Sequence, residues 1–248
     1  LQHMLDTRLA DAARYPLKLN KLIFMNINRD RSPILLNHQP SIHNRVVTAS
    51  DYPIKDPMYT CSDFGTEYGE FTGTHMYVDP AGGGQNGDET AYAVTRFLGN
   101  KVYLVAVGGV PGGLEASDLA ELTAVAVKWK PNKISIERNF GNGALQKVWE
   151  PTLFKALQEV GAGVEIDDPW ESGQKELRII DKLEPVIGSG RLVVELDLIQ
   201  ADWASVQKYP AASRASYSFF HQLAKVTRDR GSLSHDDRLD AVAGSVGN

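Results

Sequence analysis

The sequence has one cysteine, Cys61, in 248 residues, so it can form neither an internal disulfide nor a cysteine-rich metal site. It also lacks a long apolar run, because the longest unbroken one lies near Val102–Val107 and is too short to span a bilayer. The sequence does not open with the basic start and apolar run of a signal peptide. These absences favour a protein of a reducing cytoplasm that has no membrane partner.

The sequence also has no excess of basic residues. The formal net charge is −5, which argues weakly against DNA binding because contacts to phosphates favour basic proteins. A nuclease that binds cations must, however, carry carboxylates in its site, and basic residues can be concentrated locally. The stretch 208–230 contains one acid, Asp229, and five basic residues. We interpret it as a DNA-facing stripe, with an ordinary solvated surface as the alternative. Its basic residues are Lys208, Arg214, Lys225, Arg228 and Arg230.

Residues 1–72 show little hydrophobic periodicity. A helix is predicted over Leu1–Tyr15 and is ended by Pro16. Scattered prolines and a run rich in glycine, glutamate and threonine follow, which indicates a linker-like segment. The first residue is not Met, and we expect the chain to be a fragment of a longer protein.

From His75 onward the pattern predicts three strands joined by tight turns, then alternating helices and strands. The predicted strands are His75–Asp79, Thr90–Leu98, Val102–Val107, Lys133–Glu137, Val164–Ile166 and Leu192–Val194. The predicted helices are Leu114–Lys130, Ala144–Val160 with a break or kink at Pro151, Gln174–Glu184 ended by Pro185, and Asp236–Val246. Three antiparallel strands followed by parallel βα units form a mixed sheet with helices on both faces. We therefore predict an α/β, ribonuclease-H-like domain over residues 73–248.

Two carboxylates stand where predicted strands end. Asp79 ends the first strand and is followed by Pro80 and three glycines, which would let a phosphate backbone approach closely. Glu137 ends the fourth strand, which lies beside the first in the predicted fold. The alternatives are that Asp79 merely starts an Asp-Pro turn and that Glu137 pairs with Arg138 on a solvated loop.

The last predicted helix opens with Asp236, Asp237 and Asp240. On a helical wheel Asp236 and Asp240 flank the apolar face, and Asp237 points further away. The alternative is helix capping, because Ser234 and Asp237 resemble a capping box and acids at a helix N-terminus favour the dipole. Asp88 could lie near Asp79, or it could belong to a polar hairpin edge.

Acids gathered in this way repel one another unless cations neutralise them. Ligands that are all oxygen favour Mg²⁺ or Mn²⁺ over zinc. Two such ions can activate a water and stabilise the leaving oxygen when a phosphodiester bond is hydrolysed. Lys175 and Arg178, one helical turn apart, could face a phosphate track, or they could be ordinary charges on a helix surface.

These motifs together resemble the nuclease domain of phage large terminase subunits, especially those of the podovirus type. The resemblance covers roughly residues 75–248 in order. It is carried by Tyr77-Val78-Asp79-Pro80-Ala81-Gly82-Gly83-Gly84, Gly87-Asp88-Glu89-Thr90, Ile136-Glu137 with its Asn-Gly loop, the helix with Lys175 and Arg178, and His235-Asp236-Asp237-Arg238-Leu239-Asp240-Ala241.

The resemblance implies an endonuclease that uses two Mg²⁺ or Mn²⁺ ions to cut concatemeric double-stranded DNA during packaging. It places the metal-binding, catalytic acids at Asp79, Glu137 and the pair Asp236 and Asp237, with Asp88 and Asp240 as further candidates. It implies the host cell cytoplasm as the location. In the full-length protein it implies the portal, the small terminase subunit and an ATPase domain as partners. The candidate DNA-binding residues are Lys175, Arg178, Lys225, Arg228 and Arg230.

The family's ATPase activity is not expected here. No G-x-x-x-x-G-K-[ST] phosphate loop occurs in the sequence, so the chain by itself should neither hydrolyse ATP nor translocate DNA. Residues 1–72 resemble, more weakly, the junction that follows the family's ATPase domain.

Three other interpretations remain open at this point. The chain could be another ribonuclease-H-like nuclease, such as a junction resolvase or a ribonuclease acting on hybrids. It could be a non-catalytic docking module whose acids only cap helices and turns. An actin-like ATPase is disfavoured, because only one unit with an Asp followed by glycines after a strand is visible.

Overall fold

An eight-stranded sheet forms the centre of the computed structural model, which describes residues 14–81, 89–112, 115–139 and 143–247. Four short strands lie outside it in two small antiparallel pairs. The strands are β1 (Ile23–Met25), β2 (Arg31–Pro33), β3 (Leu36–Asn37), β4 (Tyr59–Thr60), β5 (Asp63–Phe64), β6 (Tyr68–Glu70), β7 (Gly73–Asp79), β8 (Thr90–Leu98), β9 (Lys101–Val110), β10 (Lys133–Ile136), β11 (Glu165–Asp167) and β12 (Leu192–Glu195).

The order of strands in the sheet is β11-β10-β7-β8-β9-β12-β1-β4. Strand β8 is antiparallel to β7 and β9, and each of the other neighbouring pairs is parallel. The hairpin of β8 and β9 turns at Gly99, whose φ of 58° lies in the left-handed region. The predicted mixed sheet, with three antiparallel strands and then parallel βα units, is therefore confirmed.

Helices cover both faces of this sheet, as the sequence predicts. The helices of the described residues are α1 (Ala116–Trp129), α2 (Ala144–Glu159), α3 (Lys175–Gly188), α4 (Leu198–Ser205), α5 (Arg214–Tyr217), α6 (Phe219–Lys225) and α7 (Asp237–Ser245). Helices α1 and α2 pack on one face, while α3, α4, α6 and α7 pack on the other, so two apolar cores lie on either side of the sheet. Among the described residues, no helix is long and apolar enough to cross a membrane.

Alternation along β7 determines which side chains meet which helices. Met76 and Val78 belong to the core shared with α1 and α2, whereas Tyr77 belongs to the core of α3 and α7. Because successive side chains in a strand point to opposite faces, Asp79 follows Tyr77 toward α3 and α7. The carboxylate of Asp79, at the end of β7, therefore lies on the face of the sheet against which α7 packs.

The segment before β7 contributes more to the fold than its sequence indicates. Strand β1 pairs with β12, and β4 continues the sheet beyond it. Leu19, Leu22 and Phe24 are buried in the core. The prediction of a linker-like segment missed these strands because they are only two or three residues long and show no usable periodicity. The division of domains at residue 72 stays a prediction, and most of the helix predicted over Leu1–Tyr15 falls outside the described residues.

Two helices continue through prolines at which they were expected to break or end. Helix α2 includes Pro151, and α3 includes Pro185 and ends at Gly188, so the predicted end at Pro185 is wrong. A proline inside a helix removes one hydrogen bond. In α3 the next two residues, Val186 and Ile187, are buried, and their packing offsets that loss.

Candidate metal centre

Two strand ends and one helix bring three carboxylates together. Glu137 follows β10 directly, and its backbone N–H donates to the carbonyl of Val78 at 2.9 Å, which sets it beside Asp79. Asp240 comes from the first turn of α7. Each of the three acids offers an oxygen atom that lies within 4.8 Å of the others. We call Asp79, Glu137 and Asp240 the acidic cluster.

Burial makes the charges of the acidic cluster costly. The side chains of Glu137 and Asp240 are 6% and 4% exposed, and that of Asp79 is 14% exposed. Burial raises the pKa of all three groups above its ordinary value, and repulsion adds to this, from Asp240 on Asp79 and Glu137 and from Asp236 on Asp240. The cluster therefore needs positive charge beside it if it is to stay ionised.

Lys175, at the start of α3, supplies one such charge. Its Nζ lies 3.4 Å from Asp79 and 3.2 Å from Asp240, and it also reaches Asp236 at 2.8 Å and Asp237 at 4.0 Å. Although burial opposes the charge, these four carboxylates raise the pKa of Lys175 far above its ordinary value. One ammonium group is thus shared by four acids that come from two segments of the chain.

Arg178, one turn further along α3, supplies the other. Its Nη2 lies 2.5 Å from Asp240, and its Nη1 lies 3.1 Å from Glu171 and 3.9 Å from Glu137. Burial opposes its charge, but these acids raise its pKa. Lys175 and Arg178, which the sequence suggested as phosphate contacts, therefore face the acidic cluster in the structure.

Tyr77 and Gly244 set the distance between β7 and α7. The Tyr77 hydroxyl donates to Glu137 at 3.1 Å, and its ring lies against the backbone of Gly244. A Cβ at position 244 would lie 2.5 Å from that ring, so α7 can approach β7 this closely only because Gly244 has no side chain.

The acids of the last predicted helix lie only partly as the helical wheel predicted: Asp240 faces the site, but Asp237 is buried and does not point away. Asp236 is the N-cap residue of α7 and is partly exposed, while Asp237 is buried beside Lys175. It is Asp240, a secondary candidate from sequence, that joins Asp79 and Glu137. The N-cap residue of α7 lies two residues after Ser234, the N-cap that the capping-box alternative required. Whether Asp236 or Asp237 binds metal stays a prediction, and Asp88 lies outside the described residues.

A buried ionic network behind the cluster was missed by sequence reasoning. Arg238 is fully buried; its Nε lies 2.8 Å from Glu89, and its Nη1 lies 2.8 Å from Asp202. Tyr209 also donates to Glu89, at 2.5 Å. Because Arg238 stands between Asp237 and Asp240 in α7, this network fixes the rotation of the helix that presents them. No periodicity in the sequence marks Glu89 and Asp202 as its partners.

The remaining candidates for DNA binding lie apart from the acidic cluster. Arg228 forms exposed ion pairs with Asp181 and Glu184, and the ammonium group of Lys225 lies over the ring of Tyr15. Arg230 is exposed. Two other members of the predicted stripe have partners within the protein: Lys208 forms an ion pair with Glu89, and Arg214 donates a hydrogen bond to Gln207. A DNA contact by Lys225, Arg228 or Arg230 stays a prediction.

Comparison with known proteins gives two matches in sequence. A family model described as "Terminase Bacteriophage T7, Ribonuclease H-like domain" matches residues 78–192. The large terminase subunit of Enterobacteria phage T3 is 35% identical over 246 residues, which cover 97% of this chain and 40% of that protein. The chain therefore spans less than half the length of this relative.

Solved structures of terminase nucleases are similar at low identity. The large terminase nuclease of thermophilic phage G20c is 11% identical, with 93% of this chain and 96% of that chain covered and a TM-score of 0.47. The Mn-soaked nuclease domain of the human cytomegalovirus terminase is 14% identical, with 71% and 82% covered and a TM-score of 0.46.

The sheet order, with helices on both faces, defines a ribonuclease-H-like domain. Within that class, the chain belongs to the ribonuclease-H-like nuclease domains of phage large terminase subunits.

Proposed function

We propose that the chain is an endonuclease domain that hydrolyses phosphodiester bonds of double-stranded, concatemeric DNA with two Mg²⁺ or Mn²⁺ ions, within a large terminase subunit. The observation that carries the proposal is the convergence of Asp79, Glu137 and Asp240 from two neighbouring strands and one helix. Three acids with little exposure and raised pKa values are an unfavourable arrangement without positive charge, which Lys175 and Arg178 supply in this structure and bound cations would supply in the active site.

The donor set fits a hard divalent cation. Its three members offer only carboxylate oxygens, which suit Mg²⁺ or Mn²⁺ better than zinc. Asp79, Glu137 and Asp240 would hold one ion, and Asp236 or Asp237 would complete the set for the second. When bound, such ions activate a water and stabilise the charge that develops on the leaving oxygen.

The protein's own residues would orient this site. Arg178 bridges Asp240 and Glu137, and the Tyr77 hydroxyl donates to Glu137, so the carboxylates are held before a ligand arrives. Lys175 lies among four carboxylates and would give up some of those contacts when cations bind, which frees its ammonium group for a phosphate of the substrate.

The same proposal sets the partners and the location. Double-stranded DNA is the substrate, and the portal, the small terminase subunit and the ATPase domain are the partners in the full-length protein. The site of action is the host cell cytoplasm. These assignments follow from the family to which the chain belongs, in which this segment is one part of a larger subunit.

Addition of Mn²⁺ is expected to raise the melting temperature and to start cutting of plasmid DNA, because cations that bind only the folded acidic cluster stabilise it by mass action. EDTA should reverse both effects. A nuclease for junctions or hybrids would instead prefer four-way junctions or RNA–DNA hybrid to plasmid. A docking module would show no Mn²⁺ effect at all, and either result would overturn the proposal.

Replacement of Lys175 by methionine is expected to tighten Mn²⁺ binding several-fold, because the ammonium group that competes for four carboxylates is removed at nearly constant side-chain length. Titration calorimetry with Mn²⁺ measures the change. The matched control is Lys182→Met on the same helix, where the ion pair with Glu171 is lost and the cluster is untouched. Weaker Mn²⁺ binding in Lys175→Met than in the control would show that the lysine supports the ions.

A further inference from the structure

A second charged site lies at the opposite end of the sheet from the acidic cluster. It is an open pocket of about 440 Å³, here called the cationic pocket. Its position follows from β8, where Arg96 pairs with Thr74 near the start of β7, whereas Asp79 stands at the end of that strand. The lining residues are Arg29, Asp30, Arg96, Trp129 and Lys130.

Among the residues that the structure describes, the cations of this pocket form no ion pairs. Within the described residues, Arg29, Arg96 and Lys130 bond only to neutral oxygens. Arg29 donates to the carbonyl of Lys128 at 2.7 Å, Arg96 to the Thr74 hydroxyl at 3.1 Å, and Lys130 to the carbonyl of Val160 at 3.2 Å. Asp30 is the one acid among the described residues that line the pocket.

This net positive charge contrasts with the acidic balance of the chain. The sequence has 31 acids against 26 basic residues, and several lysines and arginines elsewhere, such as Lys133, Arg138 and Lys182, pair with carboxylates. Burial lowers the pKa of Arg96; attraction to Asp30 opposes that effect, and repulsion from Arg29 adds to it. Three cations that converge around one carboxylate leave a net positive charge, which favours the entry of an anion.

The groups are also suitably placed for a phosphate. The guanidinium of Arg96 lies over the ring of Phe71, 4.1 Å from its centroid, which holds it in one orientation. Guanidinium groups present several N–H donors in a plane and match the oxygens of a phosphate. Trp129 adds a flat, partly exposed ring beside them.

We propose that the cationic pocket binds a phosphate group, supplied either by a DNA backbone or by a free phosphate or nucleotide. The pocket is distinct from the proposed cleavage site. The seven residues of β7 span roughly 20 Å between the two ends, since a strand rises about 3.3 Å per residue. Phe71, against which Arg96 is held, also packs with the core of α1 and α2, on the face away from the acidic cluster.

Titration calorimetry in EDTA tests the proposal with three probes: inorganic phosphate, ATP and a short DNA duplex. EDTA removes divalent ions that would tether phosphates to the acidic cluster. The test variant is Arg29→Glu with Lys130→Glu, and the matched control is Lys147→Glu with Lys155→Glu, which reverses two exposed charges on α2. We expect at least one probe to bind, with a loss of tenfold or more in the test variant and less than threefold in the control.

The pattern among the probes identifies the source of the phosphate. Binding of the duplex, with a salt dependence that falls by about 0.9 per lost contact in the test variant, points to a DNA backbone. Binding of phosphate or ATP alone points to a free ligand. If no probe binds, or if both variants lose affinity equally, the pocket is not a phosphate site. Should the charge reversals unfold the chain, Arg29→Gln with Lys130→Asn serves instead, because asparagine tolerates the left-handed backbone at position 130.

Discussion

Replacement of Asp79 or Glu137 by alanine is expected to lower metal-dependent cutting of plasmid DNA by about a thousandfold or more. A bound cation contributes several kcal/mol to a phosphodiester transition state, and about 4 kcal/mol corresponds to a thousandfold in rate. Both carboxylates are ligand candidates in the acidic cluster. The measurement is the initial rate of plasmid cutting in Mn²⁺, with the melting temperature as a check on folding.

The fold is expected to survive these substitutions, because each removes a carboxylate that its neighbours repel. Asp181→Ala on the exposed side of α3 is the control, since it removes a carboxylate of similar type away from the cluster. Asp240→Ala should resemble Asp79→Ala. Asp236→Ala is expected to be at least as damaging as Asp237→Ala. Cutting at the parental rate by Asp79→Ala and Glu137→Ala would disprove the nuclease proposal.

Replacement of Arg238 by methionine is expected to reduce the free energy of unfolding by about 3–5 kcal/mol. The substitution leaves the buried carboxylates of Glu89 and Asp202 without the guanidinium that lies 2.8 Å from each. Urea unfolding measures the effect. The control is Arg228→Met, whose ion pairs with Asp181 and Glu184 are exposed and contribute less than about 1 kcal/mol. Equal stability of the two variants would show that the network behind α7 does not support the fold.

The same network predicts a loss of stability in acid. Burial alone would raise the pKa of Glu89, but hydrogen bonds and charge from Arg238 outweigh it and hold that pKa below its ordinary value. A carboxyl whose pKa is lowered on folding stabilises the protein above the unfolded pKa and loses that contribution as the pH falls through the folded pKa. In Glu89→Gln the loss of stability in this acid range should therefore be smaller than in the parent. An unchanged acid profile would contradict this assignment.

The sequence was sufficient to predict six of the eight strands of the central sheet and the position of two acids. Strand ends are visible as a carboxylate after an apolar run, and the order of elements makes the strands of Asp79 and Glu137 neighbours. The sequence could not decide which of Asp236, Asp237 and Asp240 joins the other two acids, because this depends on the rotation of α7 about its axis. The rotation is set by tertiary contacts, namely the close approach of Gly244 to Tyr77 and the ion pairs of Arg238.

Charge was the property that the sequence predicted least well. Lys175 and Arg178 look like helix-surface cations when only spacing is considered, yet both face the acidic cluster. The cations of the cationic pocket come from three separate segments, so no local stretch of sequence is strongly basic there. Strands β1 and β4 were missed for a related reason, because each has too few residues to show a period and is held by long-range pairing.

The members of the acidic cluster come from the end of β7, the end of β10 and the first turn of α7, the last helix of the described residues. During translation, the first two acids leave the ribosome long before Asp240 does. A nascent chain that lacks α7 holds only part of the proposed ligand set and has no Gly244 to dock against Tyr77. On the proposed function, metal binding and DNA cleavage would therefore begin only after α7 has been synthesised, so that shorter nascent chains would not cut nearby nucleic acid.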